Sequence, residues 1–228
     1  MLTKSISLGS KILIIYCIFS ALAIIPVTDA QANNSQRGNK WEASLKIVES
    51  NSTSIDGQNG SNIDLKSDFG WGLTLGYNLN PHILINFDFS STTPSYNATS
   101  INDEGDTFNV NHRMDLLESQ FNVVYNIFDN QFTPYIQAGA GWAYIDSNIP
   151  SSPPVIGCWY DPWWGYVCSD YQNTYNESQF SYNVAAGVKY ELANSLFFRA
   201  SYKQDWIVLS NSDDGSIGSL QLEIGSMF

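Results

Sequence analysis

Apolar and polar residues alternate at every second position in eight separate segments of the chain. In the clearest one, residues 68–79, the odd positions are large and apolar, while positions 70 to 78 opposite them are Gly, Thr or Asn. Successive side chains of a β-strand point to opposite faces, so this alternation predicts strands with one apolar and one polar face. The predicted strands are residues 40–49, 68–79, 83–91, 112–125, 134–145, 179–190, 196–206 and 219–228.

The connections between these strands alternate in length. Residues 80–82, 126–133 and 191–195 are short turns, whereas residues 50–67, 92–111, 146–178 and 207–216 are long and polar. Short turns at one end and long loops at the other, joined by strands of about ten residues, are typical of an outer-membrane barrel. The pattern predicts an all-β, eight-stranded, antiparallel, up-and-down transmembrane β-barrel, with both termini on the short-turn side.

The composition of the two faces predicts which of them points inward. The polar faces are rich in Gly, Ser, Asn and Gln and carry few charges, which suits a narrow lumen better than a water-facing surface. The apolar faces carry aromatic residues near their ends, where rings prefer a lipid–water boundary. These residues are Trp41, Trp71, Tyr77, Phe89, Tyr125, Trp142, Tyr144, Tyr190, Tyr202, Trp206 and Phe228. A secreted β-sandwich with an aromatic core is the alternative.

Eight charged residues fall on the predicted lumen face, four of each sign. They are Glu42, Lys46, Asp88, Glu118, Lys189, Arg199, Lys203 and Glu223. Charges in a narrow interior must pair, and a last hairpin turning near Asn211 would set Arg199 opposite Glu223.

Asp88 and Glu118 are expected to face each other in their own hairpin. Lys203, Lys46, water or a bound proton would have to separate these two like charges. A network that plugs the tube is the preferred interpretation, and an ion path is the alternative.

The first thirty-two residues read as a secretory signal peptide. Lys4 and Lys11 precede an apolar run over residues 12–25, and Ala30-Gln31-Ala32 provides small residues for cleavage after Ala32, or after Ala30. The predicted division is therefore a signal peptide at 1–32 and a barrel domain at 33–228.

The net charge argues against one class of partner. The full chain carries −12, and loss of Lys4, Lys11 and Asp29 with the leader makes the mature charge −13. Nucleic-acid binding needs clustered basic residues, so it is not expected.

The third long loop contains the two cysteines that follow the leader. Cys158 and Cys168 are expected to form a disulfide, with a metal pair as the alternative. The ring they close holds Trp159, Tyr160, Trp163, Trp164 and Tyr166. These rings are costly to leave in water, so they are expected to fold onto the barrel rim as a lid. A patch for a partner, a sugar or a membrane is the alternative.

The sequence offers no candidate catalytic, cofactor or metal set. His112 and Asp115 would lie on opposite faces of a strand, and no nucleophile with a base is visible, so no enzyme is predicted. The acidic loops are expected to be solvated surface. Cation bridging to lipopolysaccharide is the alternative, with Asp103-Glu104-Gly105-Asp106 as its densest cluster.

Three stretches of the chain are distinctive: PYIQAGAGWAY from Pro134, FSYNVAAGVKYEL from Phe180 and the terminal LEIGSMF. They resemble the small eight-stranded outer-membrane β-barrel family of OmpA-like, opacity and porin-type proteins. Ser226 departs from the larger apolar residue often found there. OmpW-type barrels, with a small apolar channel, are a second relative without matching motifs.

The resemblance implies insertion by the barrel-assembly machinery, which would read Leu222, Ile224 and Phe228 on the last strand. With the leader it predicts Sec-dependent export to the outer membrane of a Gram-negative bacterium. There a monomer would contact lipid and lipopolysaccharide. The expected role is structural or surface-interacting with a plugged lumen. A narrow channel for small or apolar solutes and an adhesin acting through the aromatic loop are the alternatives.

Overall fold

The computed structural model describes residues 35, 37–56, 62–101, 107–151, 155–171, 173–192, 195–208 and 215–228. The predicted signal peptide, the Asp103–Asp106 cluster and the turn at Asn211 lie outside these residues. No helix long and apolar enough to cross a membrane occurs in the described ranges.

The described chain is built from β-strands. In chain order they are β1 Trp41–Ser50, β2 Thr53–Asp56, β3 Asn62–Leu65, β4 Asp68–Asn78, β5 Ile83–Thr92, β6 Ser95–Ile101, β7 Thr107–Arg113, β8 Asp115–Asn126, β9 Phe132–Pro150, β10 Val155–Asp161, β11 Gly165–Tyr171, β12 Thr174–Glu191, β13 Leu196–Ile207 and β14 Gly215–Met227.

Eight of these strands close into one antiparallel barrel in the order β1-β14-β13-β12-β9-β8-β5-β4. Each barrel strand pairs with its sequence neighbours in the barrel, and β1 pairs with β14 to complete the circle. The predicted eight-stranded up-and-down barrel is confirmed.

The apolar face of the barrel points outward and the polar face points inward, as the alternation predicts. Trp71 is 55 % exposed on the outer surface, and Phe87 and Val184 are exposed there as well. In contrast, Lys189 is 0 % exposed and Glu223 is buried. A water-soluble barrel has the reverse arrangement, so this wall is built to be covered by lipid.

Several barrel strands extend further at the long-loop end than the alternation predicts. Strand β9 runs for 19 residues and β12 for 18. Their pairing continues to Asp146 with Asn176 and, after a register shift, to Pro150 with Thr174. The predicted end near residue 145 marks the change from an apolar to a polar outer face, but the hydrogen-bonded ladder continues beyond it.

The long connections were predicted to be polar loops, and this prediction is wrong for three of them. Strands β2, β3, β6 and β7 form a four-stranded sheet, and β10 with β11 forms a separate hairpin. These strands are four to seven residues long. An alternation over so few residues is too weak a signal to separate a short strand from a loop.

The four-stranded sheet packs over the long-loop mouth of the barrel. Its Leu65 and Tyr96 lie in one buried apolar cluster with inward-facing residues of the barrel wall. Those wall residues are Leu116, Ala143, Ile207 and Ile217. The Tyr96 hydroxyl donates to the Ser147 carbonyl oxygen at 3.2 Å, and burial raises the pKa of this phenol. The mouth is therefore closed by an apolar layer.

Candidate functional site

Eleven buried charged side chains occupy the lumen, and every one has an ion-pair partner among the described residues. They comprise the eight residues that the sequence predicts together with Arg37, Glu191 and Asp205. The set holds six acidic and five basic groups, so the predicted balance of four and four is incomplete. Asp205 lies two positions after Lys203, and Glu191 two positions after Lys189. Strand periodicity puts residues two apart on the same face, so it could have predicted that both carboxylates point inward.

The layer nearest the short-turn end is centred on Glu42. Its carboxylate pairs with both Lys189 and Arg199, and it accepts a hydrogen bond from the Asn78 amide at 2.9 Å. Arg199 also reaches Glu223 at 3.3 Å, directly opposite it in the β13–β14 register. The structure thus contains the Arg199–Glu223 bridge expected from the sequence.

Two cations of this layer lie side by side. Lys189 is opposite Arg199 in the β12–β13 register, and both charges stand 4.7 Å from the centre of the buried Phe197 ring. Two adjacent cations in a dry interior repel each other unless anions and a ring face offset the repulsion. Glu42, which the chain supplies from the distant strand β1, is therefore central to this arrangement.

The middle of the lumen contains a chain of side-chain amides beside the Lys46–Asp88 ion pair. Asn183 donates to Asn122 at 2.8 Å and to Gln120 at 2.9 Å, and Asn122 donates to Asn86 at 2.9 Å. A Cβ atom at Gly139 would approach the Asn122 Oδ1 atom to 1.9 Å. Only glycine fits at this inward position, because the Asn122 amide occupies the space that a side chain would need.

The layer nearest the long-loop end is centred on Lys203. Its ammonium group lies 3.0 Å from Asp205 and 3.4 Å from Glu118, and it donates to the Gln120 amide oxygen at 2.8 Å. Gln120 in turn donates to Asp205 at 2.9 Å. The Ser90 hydroxyl donates to Glu118 at 3.1 Å, so both carboxylates are satisfied.

The predicted opposition of Asp88 and Glu118 is wrong. In the β5–β8 register Asp88 faces Gln120, and Glu118 faces Ser90. Asp88 pairs with Lys46, and Glu118 pairs with Lys203. Alternation excludes a shift of one residue in the pairing register of β5 with β8, but it permits a shift of two. The connection between these strands is long and does not determine which register forms.

Arg37 closes the lumen at the short-turn end. Its guanidinium donates to the carbonyl oxygens of Pro81, Phe128 and Asn130 and pairs with Glu191 at 2.6 Å. These partners belong to the first two short turns and to the end of β12, where the third begins. The Ser35 hydroxyl also donates to Glu191, at 2.7 Å. Arg37 is fully buried, although it precedes the first strand and no periodicity marks it.

The β10–β11 hairpin carries the predicted aromatic patch. Cys158 lies opposite Cys168 in its register, and the two form the expected disulfide. Trp163 is 84 % exposed and Trp164 81 % exposed at the turn. Trp159, Tyr160 and Tyr166 are exposed as well. The expectation that these rings fold onto the rim as a lid is therefore wrong.

The lid does not form because the hairpin satisfies its own backbone. Residues 155–161 pair fully with residues 165–171, and the Asp161 carboxylate accepts the backbone N–H groups of Trp163 and Trp164 at 2.8 and 2.9 Å. A hairpin stabilised in this way needs no contact with the rim to order its backbone.

The remaining predicted features lie on the outside of the fold. Leu222, Ile224 and Phe228 are exposed on the lipid-facing side of the last strand, and their role in assembly stays a prediction. His112 is exposed on β7, and Asp115 begins β8, so the two are on different strands. Within the described ranges, no three His, Cys, Asp or Glu side chains are grouped to hold a metal ion.

Solved structures with the same architecture are outer-membrane barrels. The Neisserial surface protein A has 14 % identity and a TM-score of 0.54, with 82 % of this chain and 97 % of that chain covered. The outer membrane protein OprG from Pseudomonas aeruginosa has 14 % identity and a TM-score of 0.51, over 84 % and 97 % of the two chains. AlkL, determined in lipid bilayers, has 12 % identity and a TM-score of 0.51, over 88 % and 95 %. These identities speak to the fold alone.

No curated protein sequence matches this chain. A sequence model of the outer membrane protein beta-barrel domain, however, matches residues 17–228, which is nearly the whole chain. The chain belongs to the outer membrane protein beta-barrel domain family.

Proposed function

We propose that this protein is a non-conducting outer-membrane barrel that acts at the cell surface through its long-loop end. The lumen is closed by the network around Glu42 and Lys203, and the exposed hairpin provides the interaction surface. The long-loop end then faces the exterior, and the short turns face the periplasm. This proposal includes no enzymatic activity.

The observation that carries the proposal is the filled lumen. Arg37 covers one mouth, the apolar cluster around Leu65 and Tyr96 covers the other, and paired charges lie between them. Deleting one partner of a buried ion pair costs about 3–5 kcal/mol, so pairs of this kind hold the side chains that fill the lumen in place.

Biogenesis and location are part of the same proposal. Sec-dependent export, insertion by the barrel-assembly machinery and residence as a monomer among outer-membrane lipid and lipopolysaccharide of a Gram-negative bacterium agree with the family and with the apolar outer wall. The outward side chains of Leu222 and Ile224 on β14, and of Phe228 directly after it, suit a strand whose lipid-facing side is recognised during assembly.

Planar-bilayer recording of the refolded barrel tests the proposal. Heat-modifiable migration on a gel would first verify that the barrel is folded, and a large porin in the same bilayers would verify detection. We expect no steady openings at any protein concentration. Reproducible openings that scale with the amount of barrel would contradict a closed lumen and favour the narrow-channel alternative.

A further inference from the structure

The tip of the β10–β11 hairpin is aromatic on both faces and at its end. Tyr160 and Tyr166 are opposite each other and therefore share one face, whereas Trp159 lies on the other face. Trp163 and Trp164 occupy the turn and are the most exposed rings of the hairpin. The apolar surface surrounds the tip instead of forming a single flat patch.

This distribution favours immersion over docking. A protein or a sugar that contacts one face of a two-stranded hairpin leaves the rings of the other face and of the turn in water. A lipid–water interface covers a tip from every side at once, and Trp and Tyr are the residues that prefer that boundary. This barrel uses the same residue types, such as Trp41, Trp71 and Tyr125, on its own lipid-facing wall.

The negative charge of the segment around the hairpin determines which lipid headgroup it can approach. Residues 146–178 contain Asp146, Asp161, Asp170 and Glu177 but no Lys, Arg or His. An acidic segment is repelled by anionic lipid and by sulfated or phosphorylated polymers. Aromatic faces beside carboxylates attract quaternary ammonium groups, which makes the choline headgroup of a zwitterionic lipid the complementary surface.

The hairpin is also long and ordered enough to reach a surface. Two paired strands of seven residues rise about 20 Å from base to turn. The disulfide ties the strands together, and Asp161 fixes the turn through the N–H groups of Trp163 and Trp164. Little ordering remains to be done on binding, so burial of the rings is not offset by loop entropy.

We propose that the tip of this hairpin inserts shallowly into the phosphocholine leaflet of an apposed membrane. Trp163 and Trp164 enter the headgroup–acyl boundary, with Trp159, Tyr160 and Tyr166 around them. The Asp161 carboxylate stays at headgroup level, because a charge entering the hydrocarbon is costly, and this limits the depth. The inference rests on the proposed surface role and names the partner of that role.

The test uses the whole barrel in nanodiscs and separate vesicles of palmitoyl-oleoyl phosphatidylcholine. Co-flotation measures binding, and brominated phosphatidylcholine placed only in the vesicles reports contact by quenching tryptophan fluorescence. We expect wild type to float with the vesicles and to be quenched, with little dependence on salt. Trp163→Ser with Trp164→Ser should lower the partition coefficient at least about tenfold, because two large rings lose their apolar burial.

Two comparisons make the result specific. Ile156→Ser removes an exposed apolar side chain at the base of the same hairpin and should leave binding unchanged. Vesicles with about one third phosphatidylglycerol should bind the wild type more weakly, owing to the acidic segment. Empty nanodiscs give the background, and heat-modifiable migration verifies that each variant is folded.

Three outcomes would overturn the inference: no flotation of wild type, equal binding by the double variant, or tighter binding to the anionic vesicles. The first of these, found together with a non-conducting barrel, leaves the proposed function standing without this partner. Steady conductance would instead overturn the closed lumen, whatever the vesicles show.

Discussion

Charged side chains are usually exposed and large aromatic ones largely buried, and the lumen and the β10–β11 hairpin break this pattern in opposite ways. The lumen buries groups such as Lys189 and Glu42, whereas the hairpin exposes Trp163 and Trp164. Every buried lumen charge finds its partner within the molecule. The exposed rings find none on the described barrel, and only their backbone is satisfied. A region whose charges are all paired within the molecule serves stability, and one whose rings are left in water indicates where a partner acts.

The largest effect expected from breaking the lumen side of this comparison comes from Glu42→Ala. Lys189 and Arg199 would then remain buried beside each other without their shared anion. Removing one partner of a buried pair costs about 3–5 kcal/mol. This variant should lie at the upper end because two adjacent cations lose the anion they share, and each keeps only a longer contact, Lys189 with Glu191 at 3.5 Å and Arg199 with Glu223 at 3.3 Å. Urea unfolding of the barrel in micelles or vesicles measures the loss.

Glu49→Ala is the matched control for this variant. Glu49 lies on the same strand but at an outward-facing position near the long-loop end. Its removal should change the free energy of unfolding by less than about 0.5 kcal/mol. Equal losses in the two variants would mean that Glu42 does not hold the cations together.

Arg37→Ala should have the next largest effect. The variant loses the ion pair with Glu191 and the hydrogen bonds to the short turns. Removing one partner of a buried ion pair costs about 3–5 kcal/mol, and Glu191 keeps Lys189 at 3.5 Å. We therefore expect a loss of about 3 kcal/mol, with faster amide exchange in the turns around Pro81 and Phe128. Lys40→Ala, three residues further on, is the control. Unchanged amide exchange in the short turns of Arg37→Ala would contradict the closure of the lumen by Arg37.

Alternation along the chain was enough to predict the barrel, its inside and its outside. It placed Lys189 in the lumen and Trp71 on the lipid side because each strand is long enough to show its period. It also gave the Arg199–Glu223 pair, because a last hairpin that turns near Asn211 sets these two residues opposite each other.

The pairing of Glu42 with Lys189 could not be predicted in the same way. These residues are 147 positions apart and meet across the lumen, so their contact depends on the stagger of the closed barrel. The β5–β8 register was missed because a hairpin of its own, β6–β7, lies between the two strands. Arg37 was missed because a single residue before a strand has no period to reveal it.

A smaller effect is expected when a lumen pair is replaced as a unit. Lys46→Met together with Asp88→Leu removes both charges of one pair and fills the space with apolar atoms. Such replacements are often neutral or stabilising, so we expect a change within about 1 kcal/mol, whereas either single change costs about 3–5 kcal/mol. A double-mutant cycle from urea unfolding measures the difference. Additive losses would show that the two charges do not depend on each other.

The smallest effect on the barrel should come from the hairpin disulfide. Replacing Cys158 and Cys168 by Ser removes a bridge over a separation of 10 residues, whose entropic contribution is about 3 kcal/mol or less and is confined to the hairpin. The hairpin is a separate two-stranded sheet, so its loosening should leave the free energy of barrel unfolding within about 0.5 kcal/mol of wild type. Limited proteolysis should, in contrast, cut near Trp163 faster in this variant. If barrel unfolding shifted as much as in Arg37→Ala, the hairpin would be part of the barrel's stability. The exposure of its rings would then no longer indicate a site that acts separately from the barrel.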